Sequence, residues 1–171
     1  MDTKYLTKAG LISAIYVVLV AIQIPIGQLA FGPIQLRIAE GLTLLPLVES
    51  AAIPGVFIGC LISNIILVSF SGFGLIDIIG GSLITLMAAY LTNKMPNKIL
   101  GTLPPVILNG LLVSIWVSYF TSIPYWYTVL GISLGELISV LVFGNIILII
   151  YKNIFRKGYK WFPLYILVKK R

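Results

Sequence analysis

Gln35-Leu36-Arg37-Ile38-Ala39-Glu40 puts a guanidinium and a carboxylate into a chain that otherwise keeps charge out of its apolar stretches. Twelve Lys and Arg residues occur, and all but Arg37 lie at the two ends or at Lys94 and Lys98. Arg37 stands three residues before Glu40, so on a helix the two share a face. Charges flanked by long apolar segments are costly in a membrane and point into a protein interior or a wet cavity. The stretch decides the fold because it decides how many times the chain crosses the bilayer.

Composition sets the class. Hydrophobic residues make up 59% and charged residues 10% of the chain, with a mean hydropathy of +1.07. A soluble domain carries about 25% charged residues. Charge-free runs cover 9–36, 50–76 and 99–135, each longer than the roughly 20 residues of a membrane helix. The 171 residues suffice for one bundle in a lipid bilayer and leave no separate soluble domain. The net charge of +7 flanks apolar spans, which fits the positive-inside rule and not a nucleic-acid partner. The N-terminal apolar run lacks an A-x-A cleavage signal and is read as a retained first span.

Several chemistries are excluded. The single Cys60 permits no intrachain disulfide, and the absence of His removes His metal sites and Ser-His or Cys-His catalysis. No G-x-x-x-x-G-K-[ST] phosphate loop occurs, and a two-aspartate protease would lack its second intramembrane Asp. The chain reads as a non-enzyme that needs no cofactor.

The expected architecture is an all-α membrane bundle with helices near 9–29, 36–52, 54–70, 75–92, 103–120 and 130–151. Breakers separate them at Gly32-Pro33, Pro54-Gly55, Gly72 and Gly74, Pro104-Pro105 and Pro124. The second span holds Arg37, Glu40, Pro46 and Glu49 and would fail a plain hydropathy threshold. Charge counting retains it. With six spans and an inside N-terminus, Lys4, Lys8, Lys94, Lys98 and the seven basic residues after position 151 all fall inside. With five, Lys94, Lys98 and the basic tail would all fall outside. Six spans with both termini cytoplasmic is the reading, as a membrane domain over 1–151. A basic aromatic tail follows over 152–171, suited to interfacial anchoring.

This topology brings polar groups from five spans to similar depth in the outer half. They are Gln23, then Gln35, Arg37 and Glu40, then Asn64, Asp77 and Glu136. Convergence of this kind fits a pocket open to the outside. Gln23 and Asn64 are equally suited to hydrogen bonding between helices. Arg37, Glu40, Asp77 and Glu136 sum formally to −2. Either one or two carboxylates are protonated, or the ligand is cationic. Carboxylates also accept paired N–H donors of the kind a guanine-like edge presents. Trp116, Tyr119, Trp126 and Tyr127 are candidates for stacking on a flat ring or for an interfacial belt. Glu49 falls near the inner end of the second span and reads as a surface or partner contact. Ala9-x-x-x-Ser13 and Gly10-x-x-x-Ala14 form a small-residue face, suited to close approach by a partner helix.

The stretch Phe31-Gly32-Pro33-Ile34-Gln35-Leu36-Arg37-Ile38-Ala39-Glu40-Gly41-Leu42-Thr43-Leu44-Leu45-Pro46 resembles the signature of the QueT queuosine-precursor transporters. The resemblance continues through Ala52-Ile53-Pro54-Gly55, Gly59-Cys60, Asn64, Asp77-Ile78, Gly81-Ser82-Leu83, Asn93-Lys94, Pro104-Pro105, Asn109 and Gly135-Glu136-Leu137-Ile138. It implies a six-helix substrate-binding S component of an energy-coupling factor (ECF) transporter in a prokaryotic cell membrane. The partners it implies are a transmembrane coupling subunit and two cytoplasmic ATPases. The implied ligand is a 7-deazaguanine, foremost the aminomethyl precursor of queuosine. Glu40 and Asp77 would then accept ligand N–H groups. Arg37 would orient Glu40 or donate to the ring carbonyl, and Glu136 would meet the ammonium. Gln35 and Asn64 are further hydrogen-bonders, and Gln23, Asn109, Trp116 and Tyr119 additional candidates. The small-residue face resembles the one S components offer to the coupling subunit. The competing reading is a stand-alone cation- or proton-coupled carrier using Asp77 and Glu136. A third is a non-transporting membrane scaffold.

Overall fold

In the computed structural model the described residues are 2–27 and 32–155. The tail beyond 155 therefore lies outside the described residues. Among the described residues six helical rods run back and forth, and four are long and apolar enough to cross a membrane: Thr3–Ile26, Ala52–Ser71, Lys98–Thr121 and Tyr125–Ile154. These are the first, third, fifth and sixth spans. The fourth covers 75–94, a π-helical stretch at Asp77–Gly81 leading into the α-helix Ser82–Lys94.

The second span departs from expectation. It is a 3-10 helix over Ile38–Leu47, not an α-helix over 36–52. Arg37 precedes it with extended dihedrals, φ −101° and ψ 108°, so Arg37 and Glu40 do not share a helix face. Side-chain contacts show how far this short element reaches. Gln23 of the first span bonds the backbone at residues 36 and 38, and Lys8 meets Glu49. Between residues 8 and 23 an α-helix rises about 22 Å at about 1.5 Å per residue. The chain from 36 to 50 returns over the same length. At about 2.0 Å per residue the ten residues of this 3-10 helix rise about 20 Å, where ten α-helical residues would rise about 15 Å.

Glycine faces admit this element. A Cβ on Gly41 would lie 2.8 Å from the Gly144 nitrogen, so the second and sixth spans meet backbone to backbone. Cβ atoms at Gly131 and Gly135 would strike the carbonyls of Pro33 and Gln35. The first and third spans are joined in the same manner. A Cβ on Gly55 would lie 2.9 Å from the Ala9 carbonyl, and one on Gly59 would lie 2.6 Å from Tyr16 Cβ. Ala9 and Ser13 are buried in that seam, so they are not free to meet a partner protein. Gly10 and Ala14, one residue round the helix, are exposed.

Pro104 and Pro105 do not end a span, as expected from sequence, but lie inside Lys98–Leu108. Pro105 has no N–H for the Gly101 carbonyl four residues back. The Thr92 hydroxyl donates to that carbonyl instead, at 3.1 Å. The break falls earlier, where Asn97 caps the fifth span by accepting from the Leu100 N–H.

One end of the bundle is basic. Lys8 and the Tyr151 hydroxyl both reach Glu49 Oε2 at 2.5 Å, and the Ala51 N–H donates to Oε1. Burial alone would push the Glu49 carboxyl up, but these three donors outweigh it and hold its pKa below the ordinary carboxylate value. Glu49 is thus an internal clamp. It brings the start of the first span and the last turns of the sixth to one face, with Lys4, Lys94, Lys98 and Lys152 near the same helix ends.

Gly135→Ala should cost about 1–3 kcal/mol by overpacking the residue 33–35 backbone. Gly10→Ala, whose Cβ meets open space, should leave stability unchanged. Thermal unfolding of both variants in detergent checks the contrast.

Candidate functional site

The site is built around the non-helical segment before Ile38. Backbone groups outside a helix have no intrinsic partners, and each one left unsatisfied in a membrane costs several kcal/mol. Gln23 supplies both. Its amide donates to the Leu36 carbonyl at 2.7 Å, and its oxygen accepts the Ile38 N–H at 2.7 Å. Gln23 therefore braces the backbone with one of its amide N–H groups and one lone pair of its oxygen. Gln35 is buried beside Gly135.

Arg37 is carried inward by this segment. Its Nη2 donates to Asn64 Oδ1 at 3.1 Å. Asn64 Nδ2 in turn donates to the Asp77 carbonyl at 2.8 Å, and the Trp116 indole N–H donates to Asp77 Oδ1 at 3.2 Å. Second, third, fourth and fifth spans are thereby linked through one chain of bonds. Gly81 leaves room for it, since a Cβ there would stand 3.0 Å from Asn64 Nδ2.

A second tier lies nearer the middle of the bundle. The Tyr16 hydroxyl donates to Glu40 Oε1, and Asn109 Nδ2 donates to Glu136 Oε1 at 3.0 Å. Glu136 lies within electrostatic reach of both Glu40 and Arg37, and Arg37 reaches Tyr16, Glu40, Cys60 and Asp77. The sequence-selected Arg37, Glu40, Asn64, Asp77, Asn109, Trp116 and Glu136 are thus brought together across five spans. Each of them except Arg37 is buried, and Arg37 is half-buried with its Nε enclosed.

Two polar atoms in this cluster have no hydrogen-bond partner among the described residues: Arg37 Nε and Glu40 Oε2. Arg37 and Glu40 form no ion pair with each other there. One buried donor and one buried acceptor are left open beside two further carboxylates. No group of His, Cys, Asp and Glu among the described residues is arranged to hold a metal ion.

Not every candidate joins the cluster. Tyr119 is 80% exposed, Trp126 68% and Tyr127 72%. These rings lie on the outer surface at the end of the bundle opposite the lysines, as an aromatic belt does. An open cleft of about 310 Å³ lies at that end, lined by Pro33, Phe70, Phe73 and Phe120 among others. Phe73 also belongs to the apolar cluster that holds Trp116.

The QueT transporter family matches residues 6–153. The chain belongs to the QueT transporter family. Neither the curated proteins nor the solved structures offer a match. For this QueT-family protein, transport of a small molecule across a membrane, without an enzymatic reaction, is the activity the membership carries.

Sequence reasoning missed Tyr16, Cys60 and Thr85. Cys60 Sγ is approached by Asn64 Nδ2 at 3.5 Å and by the Thr85 hydroxyl at 3.4 Å. A signal for Tyr16 exists. It lies seven residues before Gln23, hence two helical turns away on the same face.

Gln23→Leu should strand two buried backbone groups at about 1–3 kcal/mol each. The expected result is a lower unfolding temperature for the QueT-family protein in detergent. An unshifted melting curve would show that the brace is dispensable.

Proposed function

We propose that this protein is the S component of an ECF transporter and binds a 7-deazaguanine, foremost the 7-aminomethyl form. The single observation that carries the reading is the open pair, Arg37 Nε and Glu40 Oε2, buried and unpartnered beside Glu136 and Asp77. Burying such groups without partners is expensive, so a site that keeps them open gains most from a ligand that supplies both bonds. A guanine edge has a carbonyl oxygen next to N–H donors. Arg37 donates to the carbonyl, and Glu40 accepts from the N–H groups. The aminomethyl ammonium lies against the excess of carboxylates, with Glu136 its first partner and Asp77 a further acceptor. A formal charge of −2 over Arg37, Glu40, Asp77 and Glu136 favours a cation over a neutral purine.

The lysine-bearing face is cytoplasmic in this reading, as the positive-inside rule requires. The ligand then approaches from the opposite face, where the cleft lies. Mass spectrometry of the solute that copurifies with the protein tests the substrate. Arg37→Ala or Glu40→Ala should each cost about 2–5 kcal/mol of binding, or about 30-fold or more in affinity, by titration calorimetry. Unchanged affinity in both would reduce the pair to a structural feature.

The isolated chain should bind the 7-deazaguanine but not accumulate it in liposomes. Uptake should require the coupling subunit, the two ATPases and ATP. Ala14 is exposed on the first span, away from the buried cluster. Ala14→Leu should block close helix approach and impair uptake while leaving binding intact. Ion-driven accumulation by the chain alone would favour a secondary carrier using Asp77 and Glu136.

A further inference from the structure

Glu40 has two oxygens with different fates. Oε1 takes the Tyr16 hydroxyl, while Oε2 is buried and has no partner among the described residues. A carboxylate held at one oxygen loses its rotation about the last bond of the side chain, and the other oxygen is aimed. Tyr16 is itself enclosed by the core. It is fully buried, at 0% exposure, and packs in the core with Ile12, Val20, Val56 and Cys60. Its ring base rests on Gly59, where a Cβ would stand 2.6 Å from Tyr16 Cβ. Glycine at position 59 is what permits the ring this depth. The next residue, Cys60, lies within electrostatic reach of the same hydroxyl. The chain of support runs from the third span through the first span to the second.

Resting on the deazaguanine reading above, we propose that Tyr16 is a positioning residue that fixes Glu40 so that Oε2 alone is presented to the ligand's N–H groups. Tyr16 touches Glu40 and acts through it. An unheld carboxylate pays rotational freedom on binding, whereas a held one is already oriented. Selectivity follows from the same geometry. With one oxygen occupied, Glu40 favours a donor pair that converges on a single acceptor.

Calorimetry on the full-length protein in detergent tests this, with 7-aminomethyl-7-deazaguanine as the probe. Tyr16→Phe keeps the ring and removes the hydroxyl, so the protein should still fold, with a lowered melting temperature, while affinity falls about 10-fold or more. A merely structural tyrosine would not show the next result. In a Glu40→Gln background, Tyr16→Phe should cost at most a few-fold more, because the bond it supports is already altered. In an Asp77→Asn background it should cost its full amount. Gly59→Ala is a second route: the hydroxyl stays, a methyl group drives the ring base away, and binding should weaken in the same Glu40-dependent manner. Wild-type binding with unchanged affinity in Tyr16→Phe, or losses equally additive with Glu40→Gln and Asp77→Asn, overturns the positioning role alone. Failure of the wild type to bind the probe overturns the substrate assignment and this role with it.

Discussion

The bundle depends on a stretch of non-helical backbone held inside an apolar protein. Between Gly32 and Ile38 the chain forms no helix, and its peptide groups need partners that a helix would otherwise supply. Gln23 meets the need with a single amide that bonds Leu36 and Ile38 at once. Because that stretch is extended and the following helix is 3-10, a short segment spans the depth of its neighbours. Glycines at 131, 135 and 144 on the sixth span and Gly41 on the second let backbones touch where side chains would have held them apart. These features keep Arg37 inside the protein instead of on a helix surface.

Once inside, Arg37 is not neutralised by its nearest acidic neighbour in sequence. It is held by Asn64, and Glu40 is held by Tyr16. Two charges that are supported separately keep their inner atoms open. A direct ion pair would have satisfied both and left nothing for a solute. The difference between a structural pair and a binding pair therefore lies in who supports each partner. That support comes from two different spans, the third for Arg37 and the first for Glu40.

Three π-helical stretches lie beside the same cluster, at Asp77–Gly81, Asn109–Val113 and Ser139–Gly144. Such widened turns are frequent at functional sites. Carbonyls in or next to them find side-chain donors: Asn64 on Asp77, Ser82 on Ile78, Thr85 on Gly81 and Ser139 on Gly135. The hydroxyls and the amide do locally what a regular helix does with its own N–H groups.

By itself the sequence determined the membrane class, the all-helical architecture and the grouping of Arg37, Glu40, Asn64, Asp77 and Glu136. Each rests on a cost that composition exposes directly: charge in an apolar phase. Small residues four apart were read on the first span alone, and the close approaches at Gly55, Gly59, Gly131 and Gly135 emerged only from the structure. Only the tertiary structure decided that the second span is 3-10 and that Gln23 braces backbone. It also decided that Ala9 and Ser13 are spent within the chain while Tyr119 faces outward. Periodicity reports one face of one helix. Which face meets which neighbour, and whether a polar group bonds a peptide or stays open, depends on contacts between residues far apart in the chain. Tyr16 and Glu40 are 24 residues apart, and no local pattern links them.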